Sequence, residues 1–432
     1  MLLPLLMAAA APAPLGDAAL ARRFTAWKYA SEILVRSTAD EPRPATVIDA
    51  ALRLPADRTA NLRRDCRVVR EAGFGELLAE VPFQLYAVRN EGPDTLCRVA
   101  FRTDLPAHGF ERFAVFYDNP GAAAPAPAPE GMTLAERGGR IEVSAGDYAL
   151  TLDAATAQCL RLATRQPAAR VLCPSEAPGA AFPLPAALAS LAGATTALQL
   201  RPRAGAADRM VQGPIFDWIH GVRDLAPGTG GAIAAVDFDY VFYPHAPHFV
   251  VRSKVRFLRA ARIERLAMNA FAAPQRAFDY FMFRPVTPTF PLTEVEEVGS
   301  VLLDPALRRG FPQGDLLAGM LPADLAWVGV ANAARGFAVT GFQLDRRSGA
   351  PEGRAPAYRS STRARADGEI VSWANAPLWV TAAGQASAAR PVAPGDWYEQ
   401  TEALYFSDWN ASDWRERTDD YGRALNDPPE VT

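Results

Sequence analysis

Short segments in which every second residue is apolar recur along almost the whole chain, as in "ELLAEVPFQLYAVR" and "HFVVRSKVRFL". Successive side chains of a β-strand point to opposite faces, so this period of two gives each strand one apolar face that must be buried. Helical periodicity is scarce, and residues 184–200 and 305–321 are the best candidates for short helices. Because sheets of this kind stack against one another, the pattern predicts an all-β protein of antiparallel sheets.

An Ala/Pro-rich stretch, "GAAAPAPAPEG" at residues 121–131, divides the strand-like segments into two groups. A repeated Ala-Pro run disfavours both a helix and a central strand and favours a semi-extended linker. We therefore predict a small N-terminal β-sandwich at residues 24–118, a linker at 119–131, and a large antiparallel β-sandwich domain at 132–432.

The first 23 residues contain the apolar run "MLLPLLMAAAAPAPLG", which ends in small residues. This pattern is typical of a secretory signal, although the usual positive start is missing, and a plain Ala/Pro leader is the alternative. The pattern favours a secreted or periplasmic protein of bacterial type. Every other stretch is too short or too polar for a membrane helix, so we predict no stable membrane insertion.

Charge and cysteine usage narrow the class of protein further. The 45 basic and 48 acidic residues give a net charge of -3, which argues against a nucleic-acid partner. Four cysteines fit an oxidising compartment, and proximity in sequence favours disulfides Cys66–Cys97 and Cys159–Cys173. Buried free thiols are the alternative. The spacing matches neither a zinc site nor a redox dithiol.

Several segments together resemble a known family. "RIEVSAGDYALTLDAATAQCLRLA", "MVQGPIFDWIHGV", "FDYVFYPHAPHFVVRSKVRF" and "APGDWYEQTEALYF" resemble, in order and turn chemistry, strands of the β-supersandwich of galactose-mutarotase-like proteins and polysaccharide lyases. The segment ending in "FAVFYDNP" resembles the accessory domain that often precedes it. The resemblance implies a carbohydrate-active protein, with a small sandwich followed by a large supersandwich.

Lyases of this shape remove the C5 proton of a uronic acid and expel the 4-linked sugar. This chemistry needs a base, an acid for the leaving oxygen, and a positive group that neutralises the carboxylate. Residues 217–256 supply all three types of side chain. The catalytic candidates are Tyr240, Tyr243, His248, His220 and Arg252.

Strand geometry restricts these candidates. Asp237 and Asp239 share one face of their strand, and Tyr240 lies on the other. Two prolines, at 244 and 247, imply a bend before His248. After the bend, the residues of even number read His-Val-Arg-Lys-Arg. This face is suited to a carboxylate-bearing polymer, and an ordinary solvated face is the alternative.

Aromatic and basic side chains near these positions are candidates for binding sugar. Indole rings suit the C–H faces of sugars, although tryptophan is more often used in a protein core. Two tryptophans lie in the polar segment 405–422, which a C-terminal strap would also explain. The binding candidates are Trp218, His245, Arg256, Trp409 and Trp414.

A metal site from the same region is a further hypothesis. Imidazole and carboxylate ligands suit Zn²⁺, and carboxylates also suit Ca²⁺. The spacing is loose, and the proposed chemistry requires no cofactor. The candidate ligands are His220, Asp237, Asp239 and His248.

The leading hypothesis is a polysaccharide lyase whose partner is an acidic polysaccharide or oligosaccharide. A sugar epimerase, mutarotase or glycoside hydrolase is the first alternative, with carboxylates drawn from Glu294, Glu296 and Glu297. A non-catalytic glycan-binding protein of the cell envelope is the second alternative. The sequence leaves the oligomeric state open.

Overall fold

The structure is a computed structural model, and it divides the chain into two compact units. The N-terminal unit is Met1–Pro129 with Gly213–Ile215 and Asp427–Thr432, and the large unit is Glu130–Gln212 with Phe216–Asn426. The structure describes residues 22–72, 76–125, 132–164, 170–173, 188–191, 198–244, 246–274, 280–283, 300–302, 315–320, 326–349, 357–364, 370–378, 390–410 and 412–432.

The strands dominate this part of the chain. The first group is β1 (Tyr29–Arg36), β2 (Arg43–Pro55), β3 (Arg67–Glu71), β4 (Leu77–Val81), β5 (Phe83–Glu91), β6 (Asp94–Leu105) and β7 (Phe110–Tyr117). The second group is β8 (Thr133–Arg137), β9 (Arg140–Ser144), β10 (Tyr148–Asp153), β11 (Cys159–Thr164), β12 (Arg170–Cys173), β13 (Leu188–Leu191), β14 (Gln199–Pro202), β15 (Arg209–Val211), β16 (Asp217–Ala226), β17 (Ala234–Phe242), β18 (His248–Phe257), β19 (Ala261–Pro274) and β20 (Tyr280–Phe283). The third group is β21 (Ser300–Leu302), β22 (Asp315–Met320), β23 (Ala326–Asn332), β24 (Phe337–Ser348), β25 (Ala357–Ala364), β26 (Ile370–Leu378), β27 (Arg390–Val392), β28 (Trp397–Asp408) and β29 (Glu430–Val431).

Helical structure in the described residues is short, apart from one segment. Residues 22–24 are helical, Ala56–Arg58 form a 3-10 turn and Leu62–Asp65 form one helical turn. Trp414–Asn426 form a longer helix, named here the C-terminal helix. With strands arranged in several antiparallel sheets, the prediction of an all-β fold is confirmed.

The N-terminal unit contains two antiparallel sheets, in the orders β29-β1-β7-β3-β4 and β2-β6-β5. Their inward side chains, among them Ile33, Val99 and Phe113, form one apolar core. Residues 427–432, which the sequence prediction placed with the large domain, pair with β1 through Val35 and Val431. Asp427 adds a hydrogen bond and ion pair of 2.7 Å with Arg43, so the chain end closes the edge of this sheet.

The large unit is built around a ten-stranded antiparallel sheet with the order β14-β16-β17-β18-β28-β24-β23-β20-β21, with β15 also paired to β16. A six-stranded sheet has the order β13-β19-β26-β25-β22, with β27 on β19, and a five-stranded sheet has the order β12-β11-β10-β9-β8. Two apolar clusters lie against one face of the ten-stranded sheet, around Phe242 and Phe249 and around Val255 and Phe257. Burying each such aromatic ring contributes about 1.5–3 kcal/mol.

The opposite face of the ten-stranded sheet, named here the outer face, is divided into two regions. The C-terminal helix packs on one region, where Tyr421 and Leu425 join an apolar cluster with Trp327 and Phe342. Trp327 Nε1 donates a hydrogen bond of 2.7 Å to Asp419 Oδ1 of the helix. The other region carries polar side chains of β16, β17, β18 and β28.

Two expectations about local structure are wrong at described positions. The predicted helix at 184–200 contains strand β13 and part of β14, and the one at 305–321 contains β22. Tertiary packing overrides the local helical preference in both segments. Cys66, Cys97 and Cys159 are buried free thiols, which is the alternative to the expected disulfides. The side chain of Cys173 lies outside the described part of the structure.

Candidate functional site

A polar ladder crosses the outer face of the ten-stranded sheet. His220 of β16 lies directly opposite Asp239 of β17, which lies opposite Arg252 of β18. Lys254, two residues further along β18, lies opposite Glu399 of β28. Directly paired residues of neighbouring strands point to the same face, and Arg252 and Lys254 are two residues apart on one strand, so all five project from the sheet away from the core. The polar ladder is therefore His220, Asp239, Arg252, Glu399 and Lys254, with Trp218 and Trp397 at its two ends.

Asp239 is the centre of the first half of the ladder. Its Oδ1 accepts hydrogen bonds from Trp218 Nε1 at 2.9 Å and is 2.8 Å from His220 Nδ1. Its Oδ2 accepts from Arg252 Nε at 2.5 Å. Asp239 is only 7% exposed, whereas the His220 side chain is 28% exposed. The carboxylate therefore fixes the imidazole ring while one edge of the ring stays accessible.

Glu399 organises the second half of the ladder. Its Oε1 lies 3.6 Å from Arg252 Nη1, and its Oε2 lies 3.3 Å from Lys254 Nζ. Lys254 Nζ in turn lies 3.9 Å from the centre of the Trp397 ring, within the range of a cation–π interaction. The Glu399 side chain is 11% exposed, so both carboxylates of the ladder are shielded and paired.

These contacts shift the protonation equilibria. The hydrogen bond to Asp239 raises the pKa of His220 above its usual 6.5, although partial burial opposes the shift. Burial alone would raise the pKa of Asp239, but the hydrogen bond from His220 and the charge of Arg252 hold it below its usual value. The ladder therefore contains an ionised carboxylate that stabilises the protonated form of the imidazole beside it.

Within the described part of the chain, His220 Nε2 has no hydrogen-bond partner. The Nδ1 side of the ring is bonded to Asp239, so an Nδ1 proton leaves Nε2 as the basic nitrogen. An imidazole oriented by a carboxylate is an arrangement suited to general acid–base chemistry. The first half of the ladder can therefore accept and return a proton at Nε2.

The structure contradicts a role for Tyr240 as a catalytic residue. Tyr240 is 0% exposed, and its hydroxyl donates to the Ala157 backbone carbonyl at 3.0 Å. Its ring stacks on Phe242 within the core, and burial raises its pKa well above 10. The physical reason is parity, because Tyr240 lies on the core face of β17 and Asp239 on the outer face.

His248 and Tyr243 lie together at the far end of β18, away from the polar ladder. The His248 Nδ1 is 2.6 Å from the Tyr421 hydroxyl of the C-terminal helix, and the rings of His248 and Tyr243 are 5.1 Å apart. Tyr421 also stacks on Tyr405 at 4.0 Å. Four residues of strand separate His248 from Arg252, or about 13 Å. Apart from Tyr240 in the core, the candidate catalytic residues therefore form two groups, and only His220 and Arg252 belong to the ladder.

The sequence-predicted binding residues are also dispersed. Trp218 lies in the ladder, and its ring centre is 5.6 Å from that of His220. Trp409 and Trp414 stack on each other at 5.3 Å and join the apolar cluster under the C-terminal helix. Arg256 is exposed and lies opposite Trp397. His245 and the three glutamates at 294, 296 and 297 lie outside the described residues.

The structure does not assemble the four candidate metal ligands. Asp239 is committed to Arg252, and His248 contacts Tyr421 instead of His220. Asp237 lies opposite Val222 and Lys254, one position of the same face beyond Asp239. In the part of the chain that the structure describes, no group of three or more His, Cys, Asp or Glu side chains could hold a metal ion. The described donor set therefore does not fit Zn²⁺ or Ca²⁺.

Glu399 is a residue of this site that sequence reasoning did not assign to it, whereas Trp397 was one of six tryptophans considered for stacking on sugar rings. The alternation in "WYEQTEALYF" places Trp397, Glu399 and Thr401 on one face, which was a usable signal. The approach of Glu399 to Arg252 depends on the pairing of β18 with β28, and these two strands are about 140 residues apart in sequence. Nothing in the local pattern indicates that pairing.

Comparisons with known proteins assign no family. No family model matches the sequence, and no curated protein matches it. The fold is similar to an alpha-mannosidase from Enterococcus faecalis V583, with a TM-score of 0.48 and 11% identity over 93% of this chain and 46% of that one. A glycosyl hydrolase family 38 protein from Enterococcus faecalis has a TM-score of 0.46 and 9% sequence identity, over 96% of this chain and 49% of that one.

A third similar structure is the GH36 alpha-galactosidase AgaB from Geobacillus stearothermophilus, with a TM-score of 0.39 and 10% identity over 65% of this chain and 41% of that one. This chain thus spans about half the length of the structures it resembles, or less. At these TM-scores and identities, the similarities assign neither a family nor an activity to the chain.

No helix among the described residues is long and apolar enough to cross a membrane.

Proposed function

We propose that this chain is a carbohydrate-active protein that binds a glycan along the polar ladder and uses His220 for proton transfer. The observation that carries the proposal is the hydrogen bond of 2.8 Å between His220 Nδ1 and a shielded Asp239, on an imidazole side chain that is 28% exposed. Trp218 at the same end offers an indole ring for stacking against a sugar. The reaction that best uses this arrangement is β-elimination on a glycan containing uronic acid.

In this reaction His220 Nε2 takes the proton from C5 of the uronic acid. The electron pair of the C–H bond forms the C4–C5 double bond, and the bond from C4 to the glycosidic oxygen breaks. The imidazolium then returns a proton to the departing oxygen. Arg252, whose side chain is 36% exposed, supplies positive charge for the sugar carboxylate, which makes the C5 proton more acidic.

Asp239 and Arg252 have supporting roles in the same step. Asp239 holds the imidazole tautomer and stabilises the imidazolium that forms, as a carboxylate does for an adjacent histidine. Because Asp239 and Glu399 both contact Arg252, neither is available as the protonated acid of two-carboxylate glycoside hydrolysis. The ladder therefore supports proton abstraction better than it supports hydrolysis. An epimerase would need, in addition, a second group that returns a proton to the opposite face of C5.

A second candidate function is glycan binding without catalysis. The specific observation in its favour is that Asp239 and Glu399 largely neutralise Arg252 and Lys254 within the ladder. A substrate carboxylate would have to compete with these contacts. Export, predicted from the N-terminal sequence, remains part of this proposal for both functions.

The test is to mix the purified protein with a panel of uronic-acid polysaccharides and follow the ultraviolet absorbance of the new C4–C5 double bond. We expect absorbance to rise with the wild type and to stop with His220→Ala. His108→Ala is the matched control, because His108 forms an exposed pair with Asp40 at 2.9 Å in the N-terminal unit. That variant should retain full activity.

The outcomes separate the candidates. Equal activity of the wild type and His220→Ala would refute the role of His220. Glycan binding by calorimetry without any absorbance change or epimerised product would favour the non-catalytic function. A chelator should leave the absorbance rate unchanged, because the proposed step uses only His220, Asp239 and Arg252.

A further inference from the structure

At the Trp397 end of the ladder, one cation of β18 forms no ion pair with a described residue, although Asp237 lies opposite Lys254 on the same face. Strand β18 presents Arg252, Lys254 and Arg256 on this face. Asp239 pairs with Arg252, and Glu399 is shared between Arg252 and Lys254. Arg256 is exposed and forms no ion pair with any described residue. One cation therefore stays available to a ligand.

Arg256 lies directly opposite Trp397 in the β18–β28 pair. Side chains opposite each other in an antiparallel pair have Cβ atoms about 4.5–5.5 Å apart, so the guanidinium and the indole share one small region of the face. Lys254 Nζ lies 3.9 Å from the centre of the same ring. This corner therefore combines an aromatic ring with two cations.

The position of Trp397 is fixed by its surroundings. A Cβ atom built on Gly349 would lie 1.8 Å from Trp397 Nε1, so the indole edge packs directly against the backbone at Gly349. The Gly349 amide also donates to the Trp397 carbonyl at 3.1 Å. The ring is thus held in place on the outer face, as a stacking platform requires.

We propose that Trp397, Lys254 and Arg256 form a subsite for an anionic sugar unit, which carries a carboxylate or a sulfate. The indole stacks on the sugar ring, and Arg256 offers a guanidinium for bidentate contact with the anionic group. This inference rests on the proposed glycan binding and adds a second anionic unit, which is bound away from His220.

The subsite is separate from the sugar that would react at His220. Trp397 lies three strands from β16 and four residues along β28 from the row of His220, Asp239, Arg252 and Thr401. Strand spacing gives about 14 Å across the sheet and about 13 Å along it. The ligand must therefore be an oligosaccharide of several units, with an anionic group on a unit other than the one at His220.

The experiment is isothermal titration calorimetry of the full chain with three oligosaccharides of equal length: one neutral, one with uronic-acid carboxylates, and one sulfated. We expect the wild type to bind at least one anionic oligosaccharide more tightly than the neutral one. Arg256→Gln should weaken binding of the anionic ligand about tenfold or more and leave the neutral ligand unchanged. The preferred anionic ligand identifies carboxylate or sulfate as the recognised group.

Arg259→Gln is the matched control. Arg259 is another exposed arginine close in sequence, but its guanidinium donates to the Gly231 carbonyl. This variant removes the same charge from the chain and should leave the affinity for anionic ligands unchanged. Added salt should weaken anionic binding to the wild type more than to Arg256→Gln.

Three results would overturn the inference. Equal wild-type affinity for neutral and anionic oligosaccharides would reject the anionic subsite while leaving glycan binding intact. An equal loss of affinity for the anionic ligand in Arg256→Gln and Arg259→Gln would show that the affinity depends only on net charge. Absence of binding to all three ligands would reject the proposed function together with the subsite.

Discussion

Replacing Asp239 by asparagine tests the geometry of the ladder, because this carboxylate accepts from Trp218, His220 and Arg252. An amide oxygen at the Oδ1 position keeps the bonds from Trp218 and His220, but the amide nitrogen then faces the Arg252 donor. A lost hydrogen bond to a charged group costs about 1.5–3 kcal/mol. Arg252 is partly exposed and keeps its contact with Glu399, so we expect Asp239→Asn to lower the free energy of unfolding by about 2 kcal/mol.

The same substitution should change the pH dependence of stability. The pKa of His220 is raised in the folded state, so its contribution is fully present below the usual 6.5 and is lost as pH rises through the folded value. Asp239 has a lowered pKa, and its contribution is lost only as pH falls through that value, below its usual 3.8. The difference between wild type and Asp239→Asn should therefore be larger at about pH 5.5 than at about pH 9.

Denaturant titration at both pH values measures the stability, and NMR titration of the imidazole measures the pKa of His220. In Asp239→Asn that pKa should fall toward its usual value, because the imidazole no longer donates its hydrogen bond to a charged carboxylate. Asp40→Asn is the matched control, since the Asp40–His108 pair is exposed and should be worth less than about 1 kcal/mol. Unchanged stability together with an unchanged His220 pKa in Asp239→Asn would refute the described geometry.

Three further predictions concern the large unit and the cysteines. Arg223→Met should lower the free energy of unfolding by about 3–5 kcal/mol in denaturant titration, because Arg223 binds Asp208 through two bonds of 2.7 Å in a buried site; a loss below 1 kcal/mol would contradict this. Gly349→Ala should shift the fluorescence of Trp397 and weaken anionic-glycan binding, because the new methyl group overlaps the indole; an unchanged spectrum would contradict the packing. Burial raises the pKa of Cys97 to about 11 and that of Cys159 to about 12. The native thiols should therefore resist alkylation at about pH 8 and react only after unfolding. Peptide mapping of Cys66, Cys97 and Cys159 would measure this.

The alternation of apolar and polar residues was sufficient to predict an all-β fold. It also separated the faces of β17, with Asp237 and Asp239 on one side and Tyr240 on the other. The apolar side chains Phe238 and Phe242, which share a face with Tyr240, indicated which side is buried. Choosing Tyr240 as a catalytic residue was wrong, because the choice relied on its hydroxyl and disregarded the apolar neighbours on the same face.

Local sequence patterns could not predict which distant strands pair with each other. The ladder is complete only because β28 lies beside β18, and this pairing brings Glu399 to Arg252 and Lys254. The C-terminal helix was also missed, because its sequence is mostly polar and its packed side chains, Trp414, Tyr421 and Leu425, form a narrow stripe. Such a stripe becomes informative once the sheet that receives it is known.

The central claim is that His220 exchanges a proton with a bound uronic-acid glycan. The most direct measurement is NMR of a short uronic-acid oligosaccharide incubated with the protein in heavy water, following the C5 proton and the appearance of a C4–C5 double bond. We expect loss of the C5 proton signal, by deuterium exchange or by elimination, with the wild type and with His108→Ala but not with His220→Ala. An oligosaccharide that binds the wild type yet keeps its C5 proton and its glycosidic bonds would contradict the claim.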